Sequence, residues 1–158
     1  EEVDRVLNIE GLAAIKMEVM RNTPPVTGYL EYVRKQATRL GVVLIFDECT
    51  SGFRENIGGM HLNYKISPDM LILGKALGNG YAINAILGKK KIMQAANKTF
   101  ISSTFWTERI GYAAALACLK EMKKNLYFFI LPLLSLTDII YYYIFLLRIM
   151  VTFYYILF

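Results

Sequence analysis

Apolar residues over the first 125 positions fall into short blocks whose spacing switches between strand and helix. Leu12 to Met20 is a brief apolar run bounded by Gly11 and by Asn22-Thr23-Pro24-Pro25, and it reads as a strand. After Thr27-Gly28, the residues Leu30, Val33, Ala37 and Leu40 recur at helical spacing, and Gly41 closes the segment as a C-terminal cap. Val42 to Phe46 is unbroken and rich in β-branched residues, the pattern of a strand covered on both faces, and polar residues begin at Asp47-Glu48. Ser51 to Ser67 reads as a loop. Pro68 then leads into Met70 to Leu73, a second buried strand that runs directly into Gly74-Lys75. Gly78-Asn79-Gly80 predicts a tight turn, Ala82 to Leu87 a further strand, Lys89 to Lys98 a short helix and Thr107 to Asn125 a longer one. Strands alternating with helices predict an α/β fold with a largely parallel sheet.

Composition divides the chain in two. Of its 158 residues 55% are hydrophobic, and the mean hydropathy is +0.36. The excess lies at the end, because from Leu126 to Phe158 the only charges are Asp138 and Arg148, with no Gly and no Lys. Residues 1–125 are therefore expected to be the globular part, and residues 126–158 a hydrophobic tail. From Ile139 onward only Arg148 and Thr152 interrupt the apolar run, which is long enough to span a bilayer. A central arginine would cost about 2.5 to 3.5 kcal/mol there. The abrupt loss of Gly and Lys and the simple aromatic-aliphatic composition favour translation out of frame over a membrane anchor.

The net charge of +5 is scattered. Its one tight run, Lys89-Lys90-Lys91, has no interleaved aromatic ladder, so nucleic acid is not an expected partner. Cys49 and Cys118 are far apart and form no metal-ligand spacing, which points to a reducing, cytoplasmic setting and to no metal site. The start at Glu1-Glu2 has neither a secretory signal nor an initiator methionine, as expected of a fragment.

Two ionisable side chains directly follow buried strands: Asp47 after Val42–Phe46, and Lys75 after Met70–Leu73 and Gly74. In open α/β sheets ligands gather outside the carboxyl ends of the strands, so both groups can face one cleft. A lysine and a carboxylate there suit pyridoxal 5'-phosphate: the amine condenses with the aldehyde to a Schiff base, and the carboxylate keeps the pyridine nitrogen protonated. Partial desolvation of the lysine would favour its neutral form. The same two residues also fit a plain helix cap and a solvated strand end, and spacing alone leaves both readings open.

Longer strings add to this. Pro25-Val-Thr-Gly28-Tyr-Leu30, Leu44-Ile-Phe-Asp47-Glu48, Ser51-Gly-Phe-Arg54, Pro68-Asp69, Gly74-Lys75-Ala-Leu-Gly78 and Gly80 resemble class III aminotransferases in order and spacing, from about Ala13 to Met122. Ser102-Ser-Thr-Phe-Trp-Thr-Glu-Arg109 looks most like the group around glutamate-1-semialdehyde 2,1-aminomutase. The resemblance implies part of the large domain of the fold-type-I PLP-dependent transferase fold, a three-layer α/β/α architecture. It also implies that Lys75 is the Schiff-base and proton-shuttling lysine and Asp47 the partner of the pyridine nitrogen. Thr104 matches the hydroxyl that reaches the phosphate of coenzyme in the neighbouring subunit of a homodimer, and Cys49 stands where a Val usually packs on the ring face.

Glu18 matches the glutamate of a family Glu-Pro pair, but Val19 follows it, so it reads as a solvated strand end. Arg54 and the lone His61 read as solvent-facing loop residues. The family's phosphate-binding glycine-rich loop and its ring-stacking aromatic belong upstream of residue 1, and its smaller C-terminal domain belongs after about residue 125. The implied activity is amino-group transfer on a small amino/keto or amino/aldehyde substrate, as transaminase or mutase. The alternative is a catalytically inactive remnant or a membrane-tethered binding module.

Overall fold

Four strands hydrogen-bond in the order β1-β2-β3-β4 in the computed structural model, which describes residues 2–101 and 108–130. β1 (Ala14–Met17), β2 (Val43–Glu48) and β3 (Met70–Leu73) run parallel, and β4 (Ala85–Gly88) is antiparallel to β3. This is the mostly parallel α/β sheet that the alternation of elements predicts. The helices are α1 (Glu2–Leu7), α2 (Tyr29–Leu40), α3 (Lys90–Met93) and α4 (Ile110–Ile130). The chain divides into a unit Glu1–Lys124, which holds the sheet, and a unit Asn125–Phe158. Among the described residues no helix is long and apolar enough to cross a membrane. The hydrophobic tail from residue 131 onward lies outside them.

α2 forms where Leu30, Val33 and Ala37 bury one stripe, and it stops at Gly41, whose φ of 68° suits a residue without a Cβ. The N–H groups of Gly41 and Val42 close back on Thr38 and Ala37 carbonyls. That stripe joins Leu44, Phe46, Leu71, Leu73, Met60, Leu77 and Ala115 in one core cluster. Phe46, Leu30, Leu44 and Val33 are fully buried, each contributing about 1.5 to 3 kcal/mol by leaving water.

The expected double coverage of the second strand is found on one face only. Along β2 the residues Leu44, Phe46 and Glu48 are buried, while Val43, Ile45 and Asp47 are half-buried. β1 shares this asymmetry, with Lys16 exposed beside Ile45. The helical stripes pack on the first face, and no described element seals the second to the same degree. The strand also runs further than its apolar block, because Asp47 and Glu48 pair with Ile72 and Leu73 and extend the ladder.

At the opposite strand ends Asp69 ties four segments together. Its backbone N–H donates to the Leu44 carbonyl at 2.8 Å, and its Oδ2 accepts the Leu44 N–H at 2.9 Å and Arg34 of α2 at 2.8 Å. Oδ1 accepts Lys89 Nζ at 2.6 Å, and the Asp69 carbonyl accepts the Lys89 N–H. Burial pushes the Asp69 carboxyl up, but the Leu44 N–H, Lys89 and Arg34 outweigh it and bring the pKa down from 3.8 to about 2. A carboxylate lowered on folding stabilises the fold above its unfolded pKa and loses that contribution as pH falls through the folded value. Asp69→Asn is therefore expected to cost about 2 kcal/mol in urea unfolding at pH 7. The gap to the wild type should close as pH falls from about 4 to about 2.

Candidate functional site

β2 carries two adjacent carboxylates, and the period of two along a strand sends them to opposite faces. Asp47 lies on the half-covered face. Its Oδ1 accepts the Cys49 N–H at 3.2 Å, and its Oδ2 pairs with Lys16 Nζ at 2.9 Å. Lys16 reaches it from β1, where the parallel register sets Lys16 beside Ile45 and so on the same face as Asp47. The Lys16 ammonium, with the Cys49 N–H, holds the Asp47 carboxyl below its ordinary range against the opposing effect of burial.

Lys75 follows β3 at the same end of the sheet. Gly74 precedes it, and a Cβ there would crowd the side chains of Asn84 and Cys49. Lys75 itself has φ +43°, a left-handed conformation costing an L-residue with a side chain about 1 to 2 kcal/mol. Its side chain is exposed, and Nζ donates to Thr50 Oγ1 at 2.6 Å. The desolvation expected of this lysine is therefore not supplied by the residues around it, because the short 3₁₀ turn Lys75–Leu77 starts it at the open rim.

Cys49 donates its N–H to Asp47, and its Sγ lies beside Gly74, which precedes Lys75. Burial and then Asp47 push its thiol pKa up, while the charges of Lys75 and Lys16 pull it down, so all three side chains act on one sulfur. Asp47, Cys49 and Lys75 thus gather at one sheet edge, whereas Thr104 lies outside the described residues.

The second carboxylate was legible only in part. Glu48 points into the core beside Leu44 and Phe46 and is fully buried. Its Oε1 accepts the His61 N–H at 3.0 Å and contacts His61 Nδ1 at 2.6 Å, while Oε2 accepts from Ser51 Oγ at 3.1 Å and from the Met60 N–H. Burial raises the Glu48 pKa, but the His61 ring and these N–H groups outweigh it and leave it lowered. His61 is consequently buried, not a surface polar residue as expected, because a charge-bearing partner inside the core accepts its ring. Gly59 allows this approach, since a Cβ there would collide with both His61 and Glu48. Glu18 likewise departs from the solvated strand end: it is half-buried, with Arg21 Nε 3.4 Å from Oε2. Arg54 is exposed as expected, donating to the Thr50 carbonyl at 2.5 Å.

Sequence reasoning missed Lys16 and Thr50. Lys16 alternates with Ile15 and Met17, a signal that it faces away from the core, but its partner is set by pairing between strands.

The family model for class-III aminotransferases matches residues 17–128. The chain is 43% identical over 102 residues to 3-aminobutyryl-CoA aminotransferase of Cloacimonas acidaminovorans, covering 64% of this chain and 25% of that protein. It is 35% identical over 134 residues to glutamate-1-semialdehyde 2,1-aminomutase of Ignicoccus hospitalis, covering 79% of this chain and 32% of that protein. The PLP internal aldimine form of the Sphingopyxis sp. MTA144 FumI protein superposes with a TM-score of 0.67 at 28% identity, over 71% of this chain and 28% of that one. The chain therefore spans about a quarter to a third of the relatives it matches.

Because Glu48 fastens the loop that carries Cys49 and Thr50, Glu48→Gln is expected to lower urea stability by about 1.5 to 3 kcal/mol, the range for hydrogen bonds to a charged group. It should also speed proteolytic nicking between Gly52 and Gly59.

Proposed function

The chain belongs to the class-III aminotransferase family, whose members use pyridoxal phosphate, and from that membership we propose that Lys75 holds the coenzyme as a Schiff base while Asp47 faces its pyridine nitrogen. The observation that carries this reading is the placement of Lys75 and Asp47 toward one end of the sheet, with Cys49 bonded through its N–H to Asp47 and its Sγ beside Gly74. When bound, the coenzyme supplies an aldehyde that exchanges amino groups and a ring that accepts electrons.

The residues fit that group. Lys75 Nζ lies at an open rim with Thr50 Oγ1 as a hydrogen-bond partner, and it is the base that moves a proton during transfer. Asp47 is held ionised, as a carboxylate facing a pyridine N–H must be. Cys49 offers the ring face a small polarizable surface. By the class III pattern Thr104 would meet the phosphate of coenzyme bound to a second copy, and the intact protein would be a homodimer acting on a small amino/keto or amino/aldehyde substrate, as transaminase or aminomutase. Free thiols at Cys49 and Cys118 support a cytoplasmic setting.

The catalytically inactive remnant stands as a second reading, favoured by Lys16, which already pairs with the carboxylate meant for the ring. Both readings meet one experiment. The 158-residue chain, incubated with pyridoxal phosphate and reduced with borohydride, is expected to gain a phosphopyridoxyl mass on the Lys75 peptide, and Lys75→Ala to gain none. Lys75 left unmodified in the wild-type chain would overturn the leading reading in favour of the remnant.

A further inference from the structure

We propose that Lys16 tunes the hold on the coenzyme ring: its ammonium, 2.9 Å from Asp47 Oδ2, competes with the pyridine nitrogen for that carboxylate and leaves the nitrogen less protonated than Asp47 alone would. This rests on the reading of Asp47 and Lys75 given above. Lys16 is a positioning residue, acting on the ring through Asp47.

The geometry leaves Asp47 little unshared charge. Oδ1 already accepts the Cys49 N–H and Oδ2 the Lys16 ammonium. An ionised carboxylate has about four lone-pair sites, so a pyridine N–H can still be accommodated. What Lys16 takes away is electrostatic. A pyridinium facing a carboxylate gains from the full negative charge, but facing an ion pair it gains less. The proton on the ring nitrogen is the quantity affected, and when the nitrogen loses it the proton goes to solvent.

The placement is built into the fold. Lys16 cannot turn to the other face without reversing Ile15 and Met17, which pack against the core. Glu18, two residues on, adds its charge to that of Asp47 around the Lys16 ammonium. The side chain is nevertheless 57% exposed on a four-carbon stem, so it competes with the ring without blocking the edge.

An exposed ion pair of this kind changes an affinity by up to about fivefold. Pyridoxal phosphate binding, titrated by absorbance on the full chain, is expected to tighten by about that factor in Lys16→Leu, and Lys16→Arg should keep the wild-type value. With coenzyme labelled with nitrogen-15 in the ring, the NMR shift in Lys16→Leu should move toward the protonated position, which a purely structural role would not cause. Lys16→Gln should do the same, so that added bulk or greasiness is not the cause. In an Asp47→Asn background the Lys16 substitutions should have no effect. If the Lys75 adduct forms but affinity and ring shift are the same with and without Lys16, the Lys16 inference fails and the site reading stands. Should no adduct form in the wild type or in Lys16→Leu, the site reading fails and takes this one with it.

Discussion

The register of β2 is the constraint on which the rest of this structure depends. Because strand residues alternate between faces, Asp47 and Glu48 must part, one to the half-covered face and one to the core. A slip of one residue would exchange them, placing Asp47 in the core without His61 and stranding Glu48 in the open. Asp69 guards against that slip by holding both the N–H and the carbonyl of Leu44 from the neighbouring strand. A carboxylate at one end of the sheet thus determines which carboxylate is presented at the other.

The two acidic groups illustrate how environment assigns roles. Glu48 loses its water and is compensated by two backbone N–H groups, a serine hydroxyl and an imidazole, and its work is to fasten the segment from Cys49 to His61. Asp47 keeps partial access to water and pairs with the exposed Lys16 ammonium. Lys75 at the same edge has a left-handed backbone, as Phe53, Lys65 and Asn79 also do among the described residues.

The chain spans about a quarter to a third of its relatives, and Val43, Ile45 and Asp47 remain half-buried on the face that the described helices leave open. The first face, by contrast, is closed by α2 and by Ala115 of α4, and its core is continuous.

Much of this was readable from residue order alone. The period-3.6 stripe of Leu30, Val33 and Ala37 and the Gly41 stop define α2, and Met70–Leu73 marks β3 to the residue, because local periodicity and capping depend on near neighbours. The apolar runs before Asp47 and Lys75 likewise place both residues toward one end of the sheet, because β2 and β3 run parallel. Three things needed the tertiary structure: the partner of Lys16, the burial of His61, and the single-sided covering of β2. Each depends on residues that are distant in sequence, Lys16 on Asp47 and His61 on Glu48, and on how much apolar surface other elements bring to each face. Alternation says which way a side chain points; only the packed fold decides what it meets there.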